Sequence, residues 1–149
     1  MIVNISIEEQ PIDINKEYAC VSALDNAGAV VTISGQVRVQ GEVSSLLGME
    51  LEHYPGMTEA SILTIVEEAG RRWPLLGATV IHRVGRLLPG ELIVWVATIS
   101  EHRASAFTAA EFIMDYLKTR APFWKKEISA DGGVWVDARE NDTQAASRW

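Results

Sequence analysis

The stretch Lys118-Thr119-Arg120-Ala121-Pro122-Phe123-Trp124-Lys125-Lys126 carries four bases and no acid, in a chain whose formal net charge is −7. A local cluster of cations in an acidic chain suits an anionic ligand. Its lysines could also stabilise an oxyanion or protonate a leaving oxygen. Lys118 and Arg120 stand at the end of a predicted helix, where cations complement the dipole, and that is reason enough for those two. Lys125 and Lys126 open a strand after the Pro122 turn. Neighbouring strand residues point to opposite faces, so only one of the pair can join Lys118. Lys125 is the better candidate, which leaves Trp124 and Lys126 to share the other face.

Two further basic elements join the argument. His102-Arg103 falls in the first turn of the same helix, where cations are unfavourable. A bound anion and the free backbone N–H groups would account for the pair; so would simple solvation beside Glu101. Arg38 follows a strand that contains Gly35. Together these residues point to a pocket for a substrate with more than one negative charge. His53, His82 and His102 lie in separate segments with no His or Cys partner four residues away, so no metal site is expected. Cys20 is the only cysteine. This excludes a disulfide within the chain and a Cys-rich zinc site. It sits in the apolar run Tyr18-Ala19-Cys20-Val21 and is expected to be a small buried residue.

The elements that must position these groups follow from patterning. A strand is predicted over 2–6, then a helix over 15–24 capped by Asp13, then the turn Asp25-Asn26-Ala27-Gly28. The β-branched run Ala29 to Ser34 is a strand continuing past Gly35 to Val37 and Arg38. A glycine inside a strand implies a bulge or a close approach. Residues 39–45 form a polar loop and 47–54 another strand. Thr58 is the expected cap of a helix bearing Ile62, Ile65, Val66 and Ala69 on its buried face, ended by Trp73-Pro74. Strands cover 78–84 and 92–99, joined by a turn at 87–91. The second is apolar on both faces and therefore central. Ser100 is the expected cap of a helix over 101–120, with Phe107, Ala110, Ile113, Met114 and Leu117 inward, stopped by Pro122. Residues 123–128 and 134–138 read as a hairpin around Ala130-Asp131-Gly132-Gly133. The polar tail 141–149 is expected on the surface or on a partner chain.

The mixed order, with strand pairs set between helices, argues α+β in one domain of 149 residues. No Gly-x-Gly-x-x-Gly follows a strand, and Walker and Gly-x-Ser-x-Gly loops are lacking. With 48% hydrophobic and 22% charged residues the chain can build a core. No apolar run reaches the roughly 18 residues of a membrane span, and the N-terminus reads as a strand rather than a signal peptide. A cytoplasmic protein is the expectation. A net charge of −7 disfavours nucleic acid, whose affinity comes mostly from phosphate neutralisation.

Several segments resemble the large-subunit family of the molybdopterin synthases. They are Gly35-Gln36-Val37-Arg38, Leu51-Glu52-His53-Tyr54-Pro55-Gly56-Met57, Ile81-His82-Arg83-Val84-Gly85, Phe112 through Lys126, and Ala138-Arg139-Glu140. The run Met114 to Lys125 is the most specific. The likeness extends from about residue 10 to Trp149, in order, except for the loop 39–45. It implies an α/β hammerhead fold with an added antiparallel β subdomain, and a homodimer at the centre of a heterotetramer. The partner it implies is a small ubiquitin-like sulfur carrier whose Gly-Gly C-terminus bears a thiocarboxylate. The implied substrate is cyclic pyranopterin monophosphate (precursor Z), converted to molybdopterin by two sulfur transfers with no resident cofactor. By the same likeness the catalytic lysines fall on Lys118 and Lys125. Substrate-binding positions fall on Gln36, Val37, Arg38, His102, Arg103, Lys126, Glu127 and Arg139, besides the two lysines. Some relatives carry Lys at the position of Gln36, so one phosphate contact is weaker here.

The residues alone leave two functional classes open. One is an enzyme using Lys118 and Lys125; the other is a non-catalytic module that binds a phosphorylated pterin or nucleotide. Two lysines, where arginine would serve simple anion binding, favour the enzyme. Sulfur-transfer enzymes usually carry a low-pKa cysteine in an electropositive site, yet Cys20 is remote in sequence from every basic cluster. The sulfur of such a reaction would have to arrive on another molecule.

Overall fold

The computed structural model describes residues 1–40, 45–136 and 142–149, and the backbone of 140 and 141. In chain order the elements are β1 (Ile2–Glu8), α1 (Ile14–Ser22), β2 (Ala29–Gln36), β3 (Gly48–His53), α2 (Met57–Arg72) and β4 (Gly77–Arg83). They continue as β5 (Gly85–Leu87), β6 (Leu92–Ser100), α3 (Arg103–Leu117), β7 (Phe123–Ser129), β8 (Gly132–Val136) and α4 (Glu140–Ser147). Two four-stranded sheets result, in the orders β1-β4-β6-β2 and β5-β3-β7-β8. In the first, β1 runs parallel to β4 and the other pairs are antiparallel. The second is antiparallel throughout. The architecture is therefore α+β with an added antiparallel β unit, as the sequence led us to expect.

The first sheet is covered on both faces. Ala78, Val80, Val94 and Val96 pack with Ile62, Ile65, Val66 and Ala69 of α2 and Ala109, Phe112 and Ile113 of α3. The alternate residues Ile81, Trp95, Ala97 and Ile99 pack with Val21 of α1. β6 is thus interior in the sheet order and buried from Val94 to Ser100, which explains why both of its faces are apolar. β2 shifts register between Gly35 and Gln36. A Cβ on Gly35 would come within 2.7 Å of Val94 Cγ1, so the glycine marks both a bulge and a close approach. A third cluster, Val37, Met49, Leu51 and Leu87, fills the space against the second sheet.

Asp13 caps α1 as expected, accepting from the Lys16 N–H at 3.2 Å, whereas the starts of α2 and α3 differ from the expected caps for a common reason: hydroxyls that could cap a helix are used to tie elements together. α2 begins behind Gly56, which takes φ 85°, a backbone conformation open to glycine. The Glu59 carboxylate accepts from the Gly56 N–H at 2.5 Å. Thr58 lies inside the helix and is fully buried. Its hydroxyl accepts from the Tyr54 N–H at 2.9 Å and donates to the Pro122 carbonyl at 3.0 Å. It thereby fastens the start of α2 to the turn that precedes β7. Ser100 likewise donates to the Pro74 carbonyl at 2.7 Å, and His102 occupies the cap position of α3 without a side-chain bond.

Other expectations are corrected. α3 ends at Leu117, and residues 118–120 form a turn, with the Arg120 N–H bonded to the Tyr116 carbonyl at 2.7 Å. Phe107 is 62% exposed; the buried stripe of α3 runs through Ala106, Ala109, Ala110, Phe112, Ile113, Tyr116 and Leu117. Its alanines allow close approach to the sheet, and the Thr98 hydroxyl reaches the Ala106 carbonyl at 2.7 Å. The short strand β5 precedes the expected turn. The tail is a helix, and Trp149 packs edge-on against Trp73 and Phe112, each at 5.6 Å between ring centroids. Its indole N–H donates to Asp115 at 2.6 Å. Cys20 is exposed, because the buried side of α1 is set by Val21. Among the described residues no helix is long and apolar enough to cross a membrane.

Candidate active site: a basic cavity between two sheets

A cavity of about 580 Å³ opens where the bulged end of β2, the end of α3 and the inner face of the second sheet meet. Gly35, Gln36 and Arg38 form one wall. Met114, Leu117 and Lys118 come from the last turn of α3, and Phe123, Lys125 and Glu127 from alternate positions of β7. Met49, Leu51, Ile93 and Val94 make an apolar floor, and His82, Val136 and Asp142 complete the lining. The size suits a small molecule, and the mixture of cations with apolar side chains suits one with both an anionic and a flat apolar part.

The pattern of β7 decides which lysine faces the cavity. Lys125 lies opposite Leu51 and Val136 in the sheet, on the cavity side. Lys126 lies opposite Glu50 and Trp135, and its Nζ stands 5.5 Å above the Trp135 ring on the outer face. Its stem lies across Gly133, where a Cβ would come within 2.3 Å of Lys126 Cε. Lys118 is the last residue of the α3 capping turn, and its Nζ lies 3.8 Å from Asp142 Oδ1 of α4. Lys125 and Glu127 are both engaged with protein partners, and Glu127 is buried.

The expected site residues thus divide. Gln36, Arg38, Lys118, Lys125 and Glu127 are brought together around the cavity. Val37 is not: it is 3% exposed and belongs to the core under β3. Its N–H donates to the Glu91 carbonyl and its carbonyl accepts from Gly90, so it anchors the strand end that carries Gln36 and Arg38. Lys126 faces away. His102 and Arg103 are exposed at the opposite end of α3. The 15 residues of that helix separate them from Lys118 by about 22 Å at 1.5 Å per residue. Arg139 lies outside the described residues.

Sequence reasoning missed His82, Phe123 and Asp142 as cavity residues. The His82 imidazole stacks on the Phe123 ring, with centroids 3.8 Å apart and planes at 18°. Its Nδ1 lies 2.8 Å from the Arg83 carbonyl oxygen. Burial lowers the His82 pKa to about 4, outweighing the opposite influence of that hydrogen bond; the nearby His53 lowers it further. The residue is half-buried because its edge opens on the cavity while protein surrounds the rest. His82 is therefore neutral at physiological pH, and the cationic character of the cavity rests on Arg38, Lys118 and Lys125.

Fold and site together define a class: an α+β protein whose added antiparallel sheet borders a lysine-bearing cavity of small-molecule size. The chain belongs to the MoaE protein family, whose pattern matches residues 7–120. It is 54% identical over 145 residues to the molybdopterin synthase catalytic subunit of Escherichia coli (strain K12), with 97% of each chain covered. The solved structure of the molybdopterin biosynthesis MoaE protein from Burkholderia ambifaria MC40-6 superposes with a TM-score of 0.84 at 50% identity, covering 99% of this chain and 98% of that one. Molybdopterin synthase from Staphylococcus aureus superposes with a TM-score of 0.82 at 31% identity, covering 87% and 94%.

Proposed function

We propose that this chain is the catalytic subunit of a molybdopterin synthase and that the cavity is where precursor Z receives its two sulfurs. The observation that carries the reading is the convergence of Lys118 and Lys125, from two different elements, on one cavity with Arg38. Family membership supplies the reaction. Lysine ammonium groups beside a reacting phosphorylated side chain can hold the phosphate, stabilise an oxyanion as sulfur adds, and protonate a leaving oxygen. The apolar floor of Met49, Leu51 and Ile93 suits the flat pterin.

The sulfur comes on a second chain. Relatives are named catalytic subunits, a term that implies a partner subunit. Cys20 is exposed on α1 and does not line the cavity. The sulfur of a thiocarboxylate on the partner's Gly-Gly terminus bonds to the substrate, and water then cleaves the acyl–sulfur bond, leaving the sulfur behind and releasing the partner as a carboxylate, so two partner molecules serve each product. His102 and Arg103 lie too far from Lys118 to hold the same monophosphate within one chain. In the proposed homodimer they complete the cavity of the second copy. The heterotetramer is then two such chains with one small subunit on each.

The test is reconstitution. Purified chain, precursor Z and thiocarboxylated small subunit should yield molybdopterin, with two carboxylate-ended partners formed per product. A folded chain that binds the precursor and forms no product under these conditions would mark it as a binding module rather than the enzyme.

A further inference from the structure

Nδ1 of His82 lies 2.8 Å from a backbone carbonyl oxygen. A carbonyl can only accept, so Nδ1 carries the ring proton and Nε2 is left with a bare lone pair. Nε2 has no bonding partner among the described residues. Nor is it sealed in the protein: the closed-off, unsatisfied side-chain atoms of the described residues are Arg83 Nε and Nη1. His82 lines the cavity. The stack on Phe123 fixes the plane of the ring, and the carbonyl bond fixes its rotation about that plane. A ligand that displaced water from this acceptor without pairing it would leave it unsatisfied at a cost, and Nε2 is held rigid where a ligand would meet it.

We infer that His82 Nε2 is a hydrogen-bond acceptor for an N–H group of the heterocycle that enters this cavity, a binding role that rests on the pterin reading above. Pterins carry such donors on the ring and as an exocyclic amine. A neutral imidazole attracts no phosphate, and an imidazole that holds a proton so weakly is a poor general base at neutral pH. The cavity then has two chemically distinct ends. Arg38, Lys118 and Lys125 take the anion, and His82 with Phe123 takes the ring. Such an arrangement orients the substrate, so that its side chain rather than its ring meets the lysines.

The experiment has three readouts on the intact chain. With imidazole nitrogens isotopically labelled, the wild-type His82 should show a protonated Nδ1 and a bare Nε2. Its Nε2 resonance should shift when a phosphate-free methylpterin is added. His82→Phe keeps an aromatic ring for the stack and removes the acceptor. Its KM for precursor Z should rise about three- to tenfold, the loss of one neutral hydrogen bond, with a smaller change in kcat. His82→Gln, which restores an acceptor, should recover part of that loss, so a fold defect in the Phe variant does not decide the matter. An Nε2 that is protonated in the free protein, or is unmoved at saturating methylpterin, would overturn the inference. So would unchanged KM in folded His82→Phe, even with full wild-type turnover. Wild-type protein that binds methylpterin through His82 yet makes no molybdopterin would uphold this subsite and discard the enzyme reading.

Discussion

Lys125 and Lys126 are neighbours in sequence and opposites in environment. Lys125 points into a cavity shared with Lys118 and Arg38. Lys126 lies over the exposed Trp135 on the outer face of the same sheet. Trp124, two residues before Lys126, is likewise exposed and sits beside Glu52 and Trp135. The difference is the period of a strand, and it separates a run of four bases into groups with different work. An ammonium over an exposed aromatic ring gains a weak cation–π contact. An ammonium that lines a partly enclosed cavity meets a bound substrate with less intervening water, where its field on that substrate is larger.

Mutation should expose that contrast most strongly at the lysines. Lys118→Ala and Lys125→Ala should each lower kcat by about two to three orders of magnitude, the scale of removing one electrostatic stabiliser or general acid. Lys126→Ala should stay within a few-fold of wild type. Single-turnover molybdopterin formation on folded samples is the measurement. Equal losses at Lys125 and Lys126 would mean that the face of β7 does not sort them.

Next come the arginines. Arg38→Ala and Arg103→Ala should each weaken precursor Z binding about ten- to a hundredfold, the cost of one charged hydrogen bond, with partner docking unchanged. Arg38 should act within its own chain. Arg103 should act on the cavity of the second copy, so a mixed dimer of Arg103→Ala and Lys118→Ala chains should retain one cavity with both residues intact. Titration of the precursor against each variant and against the mixed dimer separates the cases. Unchanged binding in both single variants would move the phosphate elsewhere.

The cavity face also has a pH signature that the outer face lacks. His82 is lowered to about 4 in the folded protein from 6.5. Above pH 6.5 it is neutral in both folded and unfolded chains and contributes no pH dependence. As pH falls from 6.5 toward about 4, the unfolded chain takes up a proton that the folded one refuses, so stability falls. The loss amounts to about 2–3 kcal/mol at 1.36 kcal/mol per unit, reduced by the partial exposure of the ring. Denaturant unfolding at several pH values should show it, and His82→Gln should flatten that part of the profile. His53, itself 3.7 Å from Glu59, lies close by and is best replaced in a control.

Some of this could be read in the sequence because one local rule decided it. Strand parity placed Lys125 inward, and an apolar run on both faces made β6 interior. Gly35 marked the bulge that delivers Gln36 and Arg38 to the cavity. The misreadings share a different origin. Thr58 and Ser100 have the chemistry of caps, but distant carbonyls of Pro122 and Pro74 claim their hydroxyls. The polar tail hides a single aromatic anchor, Trp149, whose partners Trp73 and Phe112 are far off in sequence. His82 looked like one histidine in an apolar strand. Its role depends on a ring stack with Phe123 that only the meeting of the two sheets creates.

The smallest expected effect concerns the one thiol. Cys20 was expected to be buried, which would have made Cys20→Ser a risk to stability; its exposure on α1 removes that concern. A surface substitution of this kind should change stability by less than about 0.5 kcal/mol. It should also leave sulfur transfer at the wild-type rate, since Cys20 does not line the cavity and, in the proposed reaction, the sulfur arrives on the partner. With the partner limiting, a singly sulfurated pterin should accumulate in wild type and in Cys20→Ser alike, because each thiocarboxylate is spent once. If the folded Cys20→Ser chain lost transfer while still binding precursor and partner, sulfur would have to pass through this thiol. The thiol on α1 would then take part in the transfer itself, and Lys118 and Lys125 would be left with substrate binding alone.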